Sequence, residues 1–270
     1  MQEADPTFSP ASSWFKKLFM NGRRFVSLQM RALAATPFVL GKAQTRNVFL
    51  AYQPDAYARF NRYEDFNTLS QQFSRHNRRI NAGDSARLWS FILNLDQILA
   101  EGIRGDFAEL GVWKGNTAAI LAHFAAKGGR EVFLFDTFQG FDKSDFQGPD
   151  AHRSVEFEDT SMEVVRDVIG PHTSVCHFVK GHFPGSVNDG HKSRTYAVVS
   201  LDCDLYEPMK AGLEFFYPRM SRGGIFLLHD YASGWWPGVR QAVDEFCKAS
   251  GEFVVLMPDR SGSAFIRKSR

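Results

Sequence analysis

Two apolar runs in this sequence end in groups that carry charge or bind metal. YAVVSLDCD (196–204) closes on Asp202 and Asp204, and IFLLHD (225–230) closes on His229 and Asp230. Side chains alternate along an extended chain, so Asp202 and Asp204 share one side of their strand. Carboxylates gathered at a buried edge repel one another and raise their own pKa values unless positive charge stands among them. A divalent cation meets that need. Oxygen donors favour Mg²⁺, Ca²⁺ or Mn²⁺, and one imidazole tilts the choice toward Mn²⁺, Fe²⁺ or Zn²⁺. Asp202, His229 and Asp230 are the candidate ligands. Asp204 precedes a helix with Glu207 at capping-box spacing, and it reads as a cap rather than a ligand. His229 admits a second role, as a neutral core histidine bonded to backbone.

Three other strand ends carry polar groups. GDFAELGVWKGNTA (105–118) is a strand ending at Glu109 and Gly111, then a turn through Trp113 and Gly115 into a helix beginning near Asn116 and Thr117. Gly111 would let backbone pass close to a ligand, and Gly115 would bring the helix N–H groups toward an anion; the alternative is a tight strand-to-helix turn whose glycines serve packing alone. The spacing is G-x-x-x-G and not the dinucleotide G-x-G-x-x-G, which suits a smaller anion such as an amino-acid carboxylate. In EVFLFDTFQGF (131–141) the next strand ends at Asp136, followed by Thr137 and Phe138. An acid at that place commonly accepts from both ribose hydroxyls of a nucleoside cofactor; an N-cap aspartate is the alternative. FVKGHFPGS (178–186) ends a third strand at Gly181, His182 and Phe183, where an adenine ring would be flanked. His182 is a candidate base or a loop cap.

These ends need a scaffold that brings them together. From residue 104 onward near-continuously apolar strands alternate with helices, and a closing hairpin joins FVVLMP to SAFIRK. Such alternation predicts an α/β, doubly wound, mostly parallel sheet of seven strands with one antiparallel strand, covered on both faces. ARLWSFILNLDQILAEG reads as an amphipathic helix with Asp84 or Ser85 as N-cap. Residues 83–270 form this domain and residues 1–82 a helical extension. The net charge of +2 is uneven: residues 1–50 hold seven basic against two acidic side chains, which leaves −3 for the rest. The basic, loosely amphipathic stretch 14–34 is a candidate for peripheral membrane contact or for packing on a partner subunit. The 3 cysteines are scattered and show no metal or disulfide spacing, which suits a reducing compartment. With no apolar run near the length that spans a bilayer and no unbroken signal-type apolar region, a cytoplasmic chain is expected, and no nucleic-acid partner is expected.

Together, GDFAELGVWKGNTA, LFDTFQGF, VKGHFPGS, SLDCDLYEPMKAGLEFFYPRMSRGGIFLLHDY and PGVRQAVDEF resemble the macrocin O-methyltransferase family, over roughly residues 80–265. The resemblance implies a class I, Rossmann-like methyltransferase sheet that binds S-adenosylmethionine. It implies methylation of a hydroxyl on a sugar, another natural product or a polysaccharide. Glu109 to Gly115 would hold the methionine moiety and Asp136 the ribose. The family's Mg²⁺ ligands correspond to Asp202, His229 and Asp230, with histidine at 229 where aspartate is usual. Asp202 would serve as ligand and base, with His182 or His229 as a second candidate. Trp113 would face the sulfonium, or else pack in its turn, and Trp235 and Trp236 suit a wall for a sugar ring. The N-terminal region of such enzymes resembles lid and subunit-contact material, so a homo-oligomer, a dimer, is expected. The rival readings on a similar sheet are an NAD-dependent oxidoreductase and a metal-dependent oxygenase or hydrolase; a further rival is a membrane-associated scaffold.

Overall fold

A computed structural model describes residues 65–270. The basic stretch 14–34 and the rest of the N-terminal segment lie outside the described residues. Residues 65–270 all fall in the second of two units of the chain. Helices α1 (Phe66–Ser74) and α2 (Arg78–Asn81) are therefore part of the second unit. They are held there by contacts distant in sequence. Leu69 and Phe73 of α1 enter the main core, and the Gln72 amide donates to the Ile169 carbonyl at 3.0 Å.

Helix α3 (Ser85–Ala100) starts where the sequence predicts: Asp84 is its N-cap and accepts from the Arg87 N–H at 3.2 Å. Strand β1 (Asp106–Leu110) follows, then α4 (Asn116–Gly128), β2 (Val132–Asp136), α5 (Met162–Ile169) and β3 (Cys176–Lys180). The short α6 (Asp189–Lys192) leads to β4 (Tyr196–Leu201), α7 (Tyr206–Phe216), β5 (Met220–Leu228) and α8 (Pro237–Ser250). The chain closes with β6 (Val255–Leu256) and β7 (Ala264–Arg267). These strands form one seven-stranded sheet in the order β3-β2-β1-β4-β5-β7-β6. β7 runs antiparallel to β5 and to β6, and the other pairings are parallel.

Period-two alternation divides the strand side chains between two layers. Phe107, Val132, Leu134, Ile225 and Leu227 point to the core under α1, α3, α4 and α5. Ala108, Leu110, Phe133, Phe135, Phe226 and Leu228 point to the core under α7 and α8. Both faces are covered, which is why the strands read as continuous apolar runs. No helix among the described residues is long and apolar enough to cross a membrane.

The register makes four strand ends flush. Leu110 pairs with Phe135 and with Leu201, and Leu201 pairs with Leu228. The next residue on each strand then lies in one row: Asp136, Gly111, Asp202 and His229. Three backbone bonds carry that row one step beyond the paired positions. Gly111 N–H donates to Phe135 O at 3.0 Å, Asp202 N–H to Leu110 O at 2.9 Å, and His229 N–H to Leu201 O at 3.0 Å. Gly111 and Asp202 straddle the place where strand order reverses, between β1 and β4, and the approach is close. A Cβ added at Gly111 (φ +85°) would lie 2.1 Å from the Asp202 carbonyl oxygen. The glycine is needed for the backbone of the neighbouring strand end. Gly111→Ala is expected to destabilise the fold by about 2 to 4 kcal/mol from overpacking and left-handed strain, measured by urea unfolding. A loss under about 0.5 kcal/mol, the range of ordinary surface changes, would mean that the two strand ends are not this tightly joined.

Candidate active site

The flush row opens on a cavity of about 570 Å³, within the size range of small-molecule sites. Gly111, Trp113, Asn116, Thr117, Asp136, Thr137, Gly181, His182 and Phe183 line it, together with Asp202, His229 and Asp230. Glu109, Gly115 and Phe138 do not line it. Glu109 is fully buried beneath the turn, where its Oε1 accepts from Ser200 Oγ at 2.9 Å and its Oε2 has no partner. At Gly115 an added Cβ would meet Val165 Cγ1 at 2.8 Å, so that glycine serves the contact with α5. Phe138 packs in the core near Phe178.

Asp136 ties two turns together. One oxygen accepts from the N–H groups of Val112 and Trp113, at 2.6 and 2.9 Å. The other accepts from Phe138 N–H at 2.6 Å. Three of about four acceptor positions are thus spent on backbone. This bracing by Asp136 is not visible in the sequence. Asn116 is likewise structural: its side-chain amide donates to the carbonyls of Gln72 and Arg75 at 2.9 and 2.8 Å.

The acidic edge is denser than the sequence reading has it. Ligand atoms of Asp202, Asp204, His229 and Asp230 all lie within 4.8 Å of one another. Asp204 is the correction here, because it caps no helix. Helix α7 has Leu205 at its N-cap and no side-chain cap, and the Tyr206 N–H donates instead to Asp150 at 2.7 Å. Asp204 takes a left-handed φ of +61° and joins the buried cluster. Burial foremost, then the charges of Asp202 and Asp230, push its pKa well up. His229 Nδ1 stands 2.6 Å from Asp202 Oδ1 and 2.8 Å from Asp230 Oδ2, yet neither ring nitrogen has an aligned hydrogen-bond partner. The alternative of a core histidine bonded to backbone therefore does not hold.

Asp202 has positive groups on both oxygens. Oδ1 faces His229, and Oδ2 accepts from Arg87 Nη2 at 2.7 Å. Burial alone would raise its pKa, but the charges of His229 and Arg87 hold it well below the usual carboxylate range. Burial and Arg87 act to lower His229, and Asp202 and Asp230 nevertheless carry it to about 10. Arg87, on the first turn of α3, is a functional candidate that sequence reading missed. Its spacing from Phe91 and Leu95, buried residues of the same helix, was the available signal.

His182 sits after β3, three strands from β4 in the sheet order, or about 14 Å at ordinary strand spacing. Its Nε2 lies 2.9 and 3.0 Å from the two Asp145 oxygens. Asp145 belongs to the connection between β2 and α5, which also contributes Phe141 and Phe157 to an aromatic wall. Ring centroids of Trp113, Phe157, Phe141 and Trp236 follow one another at 5.1, 5.1 and 5.7 Å. Trp236 is 5% exposed, whereas Trp235 stands at the rim, 69% exposed.

Glu109 gives the site a pH signature. Burial first of all raises its pKa to about 8 from an ordinary 4.5. The folded chain then holds a proton that the unfolded chain releases, so the stability it contributes is complete below about pH 4.5 and is lost as pH rises toward 8. Against wild type, Glu109→Gln should therefore gain on the order of 1 to 3 kcal/mol between those two pH values, read from urea unfolding. Parallel pH profiles for the two proteins would contradict this.

Comparison with known proteins agrees with the geometry. The family description Macrocin-O-methyltransferase (TylF) matches residues 67–255. A tetracenomycin 4'-O-methyltransferase from Streptomyces olivaceus, named for a rhamnosyl-bearing substrate, is 31% identical over 153 residues, 51% of this chain and 57% of the relative. Mycinamicin III 3''-O-methyltransferase from Micromonospora griseorubida is 32% identical over 167 residues, 56% of this chain and 64% of the relative. The matched stretches thus span less than two thirds of these relatives. Among solved structures, the O-methyltransferase NovP superposes with a TM-score of 0.58 at 24% identity, covering 68% of this chain and 80% of that one. The calicheamicin methyltransferase CalS11 gives 0.58 at 23% identity, covering 83% and 97%. Both show the fold. With strand order, flush acidic edge and family match in agreement, the chain belongs to the macrocin O-methyltransferase (TylF) family.

Proposed function

We propose that this chain transfers the methyl group of S-adenosylmethionine to a hydroxyl of a sugar borne by a natural product or polysaccharide. The observation that carries the reading is the row Asp136, Gly111, Asp202 and His229, set flush across four strands at one cavity. The lining supports a cationic donor: seven acidic side chains, Asp204 among them with its pKa pushed well up, stand there against two guanidinium groups and the His229 imidazole, a balance that still favours a sulfonium over an anion. The aromatic residues Trp113, Phe141, Phe157 and Trp236 line the same cavity. In this reading the turn at Gly111 to Thr117 receives the methionine end. Asp136 and Thr137 form the ribose side, and Gly181, His182 and Phe183 the adenine side. The relative named for a rhamnosyl substrate supports a sugar acceptor.

The donor set also fits a divalent cation. Three carboxylates and an imidazole converge within 4.8 Å, and the His229 Nε2 is buried without a hydrogen-bond partner while Nδ1 faces Asp202 and Asp230. Asp202, His229 and Asp230, with Asp204, would hold Mg²⁺ or a softer ion such as Mn²⁺. Such an ion would lower the pKa of an acceptor hydroxyl and fix its position. Holding it at Nδ1 requires His229 to release its proton.

Asp202 is the residue to which we assign the catalytic role. It remains ionised beside the switch point and can accept the hydrogen bond of the acceptor hydroxyl. A carboxylate with so low a pKa is a weak base toward a free alcohol. As the carbon–oxygen bond forms, however, the hydroxyl proton becomes strongly acidic, and Asp202 can then receive it. His182 lies toward the nucleoside end of the row, which suits recognition better than proton removal.

S-adenosylhomocysteine is expected to raise the melting temperature of the chain while NAD leaves it unchanged; the reverse pattern would overturn the proposal. Asp202→Asn is expected to lower kcat about 100-fold or more and to change the dissociation constant for S-adenosylhomocysteine by less than about threefold, a difference worth under 1 kcal/mol. Normal turnover by Asp202→Asn would remove Asp202 from the chemistry.

A further inference from the structure

The acidic edge carries a cation of its own. The Arg87 side chain is 5% exposed, and its Nη2 lies 2.7 Å from Asp202 Oδ2. The rings of Phe73 and Phe91 flank its guanidinium, with centroids 5.9 and 6.0 Å from Cζ. Its Nε has no hydrogen-bond partner. The charge is therefore clamped between two aromatic rings and one carboxylate oxygen, with little freedom to turn elsewhere. A guanidinium stays charged throughout the pH range in which proteins fold. Asp202 meanwhile offers its other oxygen, Oδ1, to the cluster of Asp204, His229 and Asp230.

Two positive groups on one carboxylate weaken each other's hold. Each draws on the same negative charge, and at these separations and low dielectric they repel directly. We infer that Arg87 competes with a divalent cation for Asp202, and so sets how tightly this chain holds that cation. The inference rests on the cation site of the proposed function. It adds that the site is partly neutralised from within, by a residue of the helical layer. It also explains why the fold tolerates so dense a cluster: removing one partner of a buried ion pair is strongly destabilising, and Arg87 is the partner that Asp202 has at all times. The cation is then an exchangeable ligand and not a requirement for folding. Because Arg87 stands on the first turn of α3, next to the Asp84 cap, the docking of that helix end and the strength of the cation site are coupled.

The test needs neither donor nor acceptor. The full chain is titrated with Mn²⁺, and the free ion is followed by electron paramagnetic resonance. Arg87→Gln is expected to bind Mn²⁺ at least about tenfold more tightly than wild type, from loss of a nearby unit charge. Arg87→Lys, which keeps the charge but draws it back, should fall between them. Combining Arg87→Gln with Asp202→Asn should abolish the gain. Equal or weaker binding by Arg87→Gln overturns the inference. Should Arg87→Gln fail to fold, its recovery by millimolar Mn²⁺, and not by Na⁺ at equal ionic strength, supports competition; no recovery by Mn²⁺ contradicts it. Stabilisation by S-adenosylhomocysteine, measured on the same samples, reports the donor site separately, so the two readings fail independently.

Discussion

Burying three carboxylates and an imidazole at the ends of two adjacent strands is costly unless positive charge stands among them. That constraint organises the rest of the molecule. β4 and β5 end in register, so Asp202 and His229 emerge side by side and cannot spread apart. Arg87 reaches in from the helical layer and holds one oxygen of Asp202. Gly111 gives up its side chain so that the neighbouring strand end can pass against it. Remove the flush register and neither the charge cluster nor the glycine has a reason to be there.

The cavity roof follows from the same edge. The connection from β2 to α5 is long and irregular, which in compact domains is a mark of function. Several contacts fasten it over the cavity. Thr160 Oγ1 donates to the Trp113 carbonyl, Trp113 Nε1 donates to Asp159 at 2.9 Å, and Lys114 pairs with Asp159 at 2.6 Å. Arg153 reaches across to the Trp235 carbonyl and lies over the Trp236 ring, 4.1 Å from its centroid. Aromatic rings thus line the cavity beyond the acidic edge, together with Asp142, Asp145 and Glu156 of the same connection. A site of that kind can hold a cationic centre and an uncharged ring at the same time.

The strands and their polar ends were legible in the sequence because both signals are local. Apolar runs bounded by charge mark buried parallel strands, and the alternation of β and α patterns fixes their layering. Asp202, His229, Asp230 and the turn at Gly111 are found together for that reason. What stayed hidden depends on partners distant in sequence. Asp204 has the spacing of a cap, but a left-handed backbone turns it into the cluster, while Asp150, 56 residues upstream of Tyr206, does the capping. Arg87 resembles the solvated arginine of any amphipathic helix until the sheet is folded beneath it. Asp136 carries the acid expected of a ribose site, yet three of its bonds go to backbone turns that no spacing rule connects. Helices α1 and α2 are polar and short, and they belong to the unit only through contacts such as Gln72 to Ile169.

The central claim is that the flush strand ends form one crevice, with the donor on the Gly111 side and the acidic edge beside it. A crystal structure with S-adenosylhomocysteine tests this most directly. The account predicts the nucleoside over the ends of β2 and β3, next to Asp136 and Phe183, with the sulfur near the β1–β4 switch point and facing Asp202. A homocysteine sulfur pointing away from Asp202, or a ligand seated elsewhere on the chain, would contradict it.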